Sequence, residues 1–101
     1  MNLLEETVEF LKKMGHSERT SIYKVIFVTD GQKSCSWKKF KEQADLEYDE
    51  SFGSNEINLN LKVVGKDWWL ERHEYDGSEW WEFKTMPKRK EFSEFIQIKE
   101  S

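Results

Sequence analysis

The sequence predicts an α+β domain in the order α-β-β-α-β-β-β, two helices packed on an antiparallel sheet that closes with a three-stranded meander. Three observations predict it. An apolar stripe at helical spacing opens the chain, Asp-Gly and Gly-Lys pairs cut the later residues into strand-length blocks, and aromatic residues concentrate in those blocks. A chain of 101 residues has room for one hydrophobic core. Residues 1–101 therefore read as a single domain, with about 88–101 a tail whose structure the pattern leaves open.

The first helix spans Leu3 to Met14. Leu3, Leu4, Thr7, Val8, Leu11 and Met14 form its apolar stripe, Asn2 with Glu5 suits a capping box, and Gly15 ends it. Glu5 and Glu6 in the first turn and Lys12 and Lys13 in the last match the helix dipole. After a polar connection, Ile22 to Val28 is β-branched and aromatic and reads as a strand. Asp30-Gly31 then signals a hairpin, with Lys33 to Cys35 as the return strand. Ser36 caps a second helix that would set Trp37, Phe40, Ala44 and Tyr48 on one face, and Asp49 to Asn55 is a loop by composition.

The last block carries the most information. Ile57, Leu59, Leu61 and Val63 alternate with Asn58, Asn60, Lys62 and Val64. Gly65-Lys66 and Asp76-Gly77 read as two-residue turns around Trp68–Tyr75 and Ser78–Lys84, and Pro87 ends the run. Phe92 to Ile98 is apolar and fits helix or strand. Two-residue turns fix register. Val63 should then face Trp68, Leu61 face Leu70 and Leu59 face Arg72, while Arg72 faces Trp81, Leu70 faces Phe83 and Trp68 faces Thr85. Both turns place Ile57, Leu59, Leu61, Val63, Trp68, Leu70, Trp81 and Phe83 on one core face.

The opposite face collects Asn58, Asn60, Lys62, Trp69, Glu71, His73, Tyr75, Trp80, Glu82 and Lys84. Its expected rows are Lys62–Trp69–Lys84, Asn60–Glu71–Glu82 and Asn58–His73–Trp80. They would flank Trp69 with two cations and set two carboxylates directly opposite. Large aromatics on a polar face are what a partner-binding surface looks like, so Trp69, His73, Tyr75, Trp80, Lys62, Lys84, Glu71 and Glu82 are the candidate site. The competing reading folds Phe92, Phe95, Ile96 and Ile98 back over that face as a cover.

Several classes are argued against. A single cysteine, Cys35, excludes an internal disulfide and the common thiolate zinc sites, and suits a reducing compartment. No apolar run approaches membrane-spanning length, and the acidic start is unlike a signal peptide, so a cytoplasmic protein is expected. A net charge of −4, with Glu71, Glu82 and Asp67 beside the aromatics, argues against nucleic acid as the partner. The clusters Lys12-Lys13, Lys38-Lys39-Lys41 and Lys88-Arg89-Lys90 read as solvated surface. Cys35 paired with His16 or His73 makes a poor nucleophile site, and no phosphate-binding glycine loop is present. No catalytic residue, metal or cofactor is assigned. A metal-dependent enzyme using Glu71, His73 and Glu82 stands as an alternative, and a self-associating morphogenetic component as another.

The run from Gly65 to Lys84, with its paired tryptophans in Asp67-Trp68-Trp69-Leu70-Glu71-Arg72-His73-Glu74-Tyr75-Asp76-Gly77-Ser78-Glu79-Trp80-Trp81-Glu82-Phe83-Lys84, resembles the signature of a family of small uncharacterised proteins encoded by phages and prophages of Firmicutes. The similarity extends upstream through Ser36-Trp37, Phe40, Ala44-Asp45, Glu47-Tyr48-Asp49 and Glu56-Ile57. The loop at Ser51-Phe52-Gly53-Ser54-Asn55 has fewer glycines than that family's pattern. The resemblance implies an accessory protein of a mobile element, in the host cytoplasm, and no mechanism. Small acidic phage proteins of this kind often bind a host or phage protein, and joined to the aromatic face this gives the expectation of a non-enzymatic protein-binding module. Inhibitors of host defence, such as CRISPR nuclease inhibitors, are one class of that kind.

Overall fold

A computed structural model of the chain describes residues 1–15, 24–49 and 56–100. Helix α1 (Leu3–Met14) is followed by strands β1 (Phe27–Thr29) and β2 (Ser34–Cys35), helix α2 (Trp37–Ala44), and strands β3 (Lys62–Val64), β4 (Trp68–Tyr75) and β5 (Ser78–Thr85). This is the expected α+β order. The strands form one antiparallel sheet in the order β2-β1-β3-β4-β5. Both helices lie against one face of it, and the core between them is built from Leu3, Leu11, Val28, Phe40, Ala44, Val63, Trp68, Leu70 and Trp81.

Local chemistry sets both helix starts. Asn2 Oδ1 accepts the Glu5 N–H at 3.0 Å and Ser36 Oγ accepts the Lys39 N–H at 3.1 Å, each satisfying a donor the first turn cannot. Thr7, fully buried on α1, gives its hydroxyl proton to the Leu3 carbonyl and accepts the Trp81 indole N–H at 2.9 Å. That bond ties α1 to β5.

Four expectations need correction. The first predicted strand covers too much: of Ile22–Val28, residues 22 and 23 lie outside the described residues, and pairing begins only at Phe27. The hairpin that follows has four loop residues, because Thr29 pairs with Ser34. Asp30 Oδ1 closes it by accepting the Gln32 and Lys33 N–H groups at 2.8 and 2.7 Å. Tyr48 is buried as expected but not by α2, which stops at Ala44. The chain beyond α2 runs beside the start of α1 instead, with Leu3 N–H donating to Leu46 C=O and Tyr48 N–H to Met1 C=O. Of the loop Asp49–Asn55, residues 50–55 lie outside the described residues.

The strand predicted from Ile57 to Val64 survives only as Lys62–Val64. Asn58 draws the preceding residues into a turn, its Oδ1 accepting Asn60 N–H at 2.8 Å and its carbonyl accepting Leu61 N–H at 3.1 Å. Leu59, assigned to the core face, is consequently 42 % exposed. The fourth correction concerns Gly65. Val63 pairs with Leu70 and Val64 with Trp69, a register two residues from the expected one, and Gly65 N–H bonds to Trp68 C=O. Gly65 does not take the positive φ that a two-residue Gly-X turn needs. Its function is steric: a Cβ there would sit 2.1 Å from the Trp68 ring. A shift of two keeps every side chain on its predicted face, since side chains alternate with period two.

Asp76-Gly77 behaves as predicted. Asp76 (φ 50°) and Gly77 (φ 85°) make a type I′ turn, and the pairs Arg72–Trp81, Leu70–Phe83 and Trp68–Thr85 all form.

Candidate functional site

The I′ turn and the eight pairs it starts fix the faces of β4 and β5. Trp69, Glu71, His73 and Tyr75 from β4 and Trp80, Glu82 and Lys84 from β5 point away from the helices, joined by Lys62 from β3. Tyr75 is 76 % exposed and the other seven are half-buried. All eight candidate residues thus share the outer face. The apolar tail does not cover it: residues 86–100 form no regular element, and Phe92, Phe95, Ile96 and Ile98 are themselves 79–86 % exposed.

The two-residue shift at Gly65 changes the neighbours. Trp69 lies between Val64 and Lys84, not between two lysines, and Lys62 lies across from Glu71. The expected cation–π contact at Trp69 is absent among the described residues, where Arg72 stacks on Tyr48 and Trp81, and Arg89 on Phe92. The like-charge pair Glu71–Glu82 is present as predicted, and the structure supplies its compensation. Trp69 Nε1–H donates to Glu71 Oε1 at 2.7 Å, and Trp80 Nε1–H donates to Glu82 Oε2 at 3.1 Å. His73 Nε2 lies 2.8 Å from Glu71 Oε2 and 3.6 Å from Glu82 Oε1, and Lys84 Nζ lies 3.3 Å from Glu82 Oε1.

These contacts repeat a unit. Each strand reads Trp, Glu, basic residue at alternate positions, Trp69-Glu71-His73 on β4 and Trp80-Glu82-Lys84 on β5. Antiparallel pairing sets the two units head to tail around the Glu71–Glu82 row. The indole hydrogen bonds are the main cause holding both carboxyls below the ordinary glutamate value, with His73 helping at Glu71 and Lys84 at Glu82. Both stay ionised at neutral pH. Each indole spends its one polar group on its own strand, so what it offers a partner is ring carbon.

A second polar cluster lies on the inner face, where sequence reasoning assigned nothing. Arg72 and Glu79 are each 3 % exposed. Arg72 Nη2 meets Glu79 Oε1 at 3.0 Å and Tyr48 Oη at 3.0 Å, and Nη1 meets Glu6 Oε2 at 3.1 Å. Tyr48 donates to Glu6, and burial, reinforced by that bond, pushes its phenol well above the ordinary value. Glu79 also accepts the Glu56 and Ile57 N–H groups at 2.8 and 3.2 Å. The signal was available: the I′ register turns both Arg72 and Glu79 inward, and two inward charges of opposite sign form a pair.

Among the described residues no group of three or more His, Cys, Asp or Glu side chains is arranged to hold a metal, and no helix is long and apolar enough to cross a membrane. Cys35 sits on the inner side of β2, opposite Val28, and His73 on the outer side of β4, so the two do not meet; His16 lies outside the described residues. Comparison with family models, with curated proteins and with solved structures finds no match.

Proposed function

We propose that this chain is a non-enzymatic protein-binding module whose contact surface is the outer face of β4 and β5. One observation carries the reading: Trp69 and Trp80 stand half-exposed, locked by hydrogen bonds to Glu71 and Glu82, with the apolar tail lying elsewhere. Indoles fixed in advance lose little freedom on binding and are the residue type that dominates interface energetics. Ionised Glu71 and Glu82 between them favour a partner that presents a cation to the centre of the patch. The resemblance of Gly65–Lys84 to phage and prophage proteins supports a mobile-element accessory role, with a host or phage protein as partner and inhibition of host defence as the activity.

The test is affinity capture from phage-infected host cells with the native chain and with a Trp69→Ala/Trp80→Ala variant. The native chain should retain a stoichiometric partner that the folded variant loses. Equal retention by both removes this face from consideration.

A further inference from the structure

The outer face extends beyond β4 and β5. Val64 pairs with Trp69 and Phe27 pairs with Val64, and directly paired residues share a side. An apolar row, Phe27–Val64–Trp69, therefore crosses three strands on the face away from the helices. All three residues are half-buried and stand outside the core cluster. Two residues further along β4 lies the acidic row, Glu71 beside Glu82, and two further again His73 beside Trp80. The face is banded, apolar then acidic then aromatic, with successive bands about 7 Å apart along the strands.

Such a face opposes pairing with itself. In a contact between two copies about a two-fold axis, the centre of the patch meets its own image. Here that sets the ionised carboxylates of Glu71 and Glu82 against their counterparts where water is excluded. A phosphate backbone or an anionic lipid surface meets the same obstacle. The complementary surface has a cation at its centre and apolar groups to either side.

Arginine suits that centre better than lysine. A carboxylate offers about four acceptor sites. Glu71 takes Trp69 and His73, and Glu82 takes Trp80 and Lys84, so both keep sites for a further donor. Their side chains remain 24 % and 35 % exposed, which leaves the solvent side open. Counted from the pair flanking the turn, Tyr75–Ser78, Glu71–Glu82 is a hydrogen-bonded pair, with Cα atoms about 5.5 Å apart. One planar guanidinium can span both carboxylates, and it gives up water more readily than an ammonium does.

We propose that the outer face receives an arginine of another protein, carried on an apolar segment, with the guanidinium bridging Glu71 and Glu82 and its apolar neighbours resting on Trp69 and Trp80. This specifies the partner of the contact surface proposed above and rests on that reading.

The probe is a capped peptide, Leu-Ser-Arg-Ser-Leu, whose alternate side chains match the band spacing when extended. It is compared with peptides carrying lysine or citrulline at the centre, and binding is followed by NMR on the indole N–H resonances of Trp69 and Trp80. The arginine peptide should shift both resonances with a Kd on the order of 1 mM. Lysine should bind about threefold and citrulline about tenfold more weakly. In Glu71→Gln/Glu82→Gln, whose amide oxygens can still accept the indole N–H groups, arginine should lose its advantage over citrulline. The proposal is overturned if citrulline or lysine binds as tightly as arginine, if that advantage persists in the glutamine variant, or if no peptide shifts the indoles at about 20 mM. Indole shifts that change on dilution of the free chain would show self-pairing and overturn it too. Partner capture separates this proposal from the reading beneath it. Capture that needs Trp69 and Trp80 but survives Glu71→Gln/Glu82→Gln keeps the contact surface and removes arginine from it.

Discussion

The two faces of the β4–β5 hairpin carry the same kinds of group and use them differently. Inside, Arg72, Glu6 and Glu79 have side chains 0–13 % exposed. Outside, Glu71, His73, Glu82 and Lys84 are 24–41 % exposed. The inner charges have no water to fall back on, so each must be matched by protein, and losing one partner strands the rest. The outer charges can exchange a neighbour for water at small cost, which leaves their arrangement free to serve a partner. Burial, and not residue type, decides which ion pairs hold the fold and which present a surface.

Substitutions break or sharpen that contrast in order of size. Arg72→Ala should have the largest effect, about 3–5 kcal/mol of stability lost, read from urea denaturation; a loss below about 1 kcal/mol would show the inner cluster to be no different from the outer one. Gly65→Ala comes next, about 1–3 kcal/mol from overpacking against Trp68, measured the same way. Trp69→Ala/Trp80→Ala should cost the hairpin no more than about 1 kcal/mol while removing partner capture, which separates binding from folding.

The smallest effect concerns pH. Because the folded-state values of Glu71 and Glu82 are lowered, their contribution is fully present above the ordinary value of 4.5 and is lost as pH falls through the depressed values. Carboxyl-carbon NMR titration should place both below 4.5 in the native chain. Trp69→Phe and Trp80→Phe, which delete only the indole donors, should move them back up. Titration that ignores these changes would assign the shift to His73 and Lys84 instead.

Much of this architecture was readable from residues. Asn2 and Ser36 announced the helices, and Asp76-Gly77 gave the whole β4–β5 register, because an Asp-Gly pair can supply positive φ at both turn positions. Gly65 misled because a glycine serves two purposes, and sequence cannot say whether its missing side chain frees a torsion or makes room for a neighbour such as Trp68. The error kept every face and changed only the neighbours, so the candidate surface was identified while the partner of Lys62 was not. The failure at Ile57–Leu61 has another origin. The alternation there is real, but Asn58 and the buried Glu79 carboxylate capture main-chain donors that a ladder would need. The tail stayed ambiguous because its apolar residues stay exposed and join no core, Phe92 stacking with Arg89 of the tail itself.

Arg72 also bears on how the molecule comes apart. It grips Glu6 near the start of the chain, Tyr48 in the middle and Glu79 across the hairpin, and Glu79 in turn holds the main chain at Glu56 and Ile57. No one of these segments can peel away without abandoning a guanidinium or a carboxylate in a dry interior. Unfolding should therefore be all-or-none, with central β4 amides exchanging with deuterium only through global opening. The tryptophan patch is mounted on the part of the molecule that yields last.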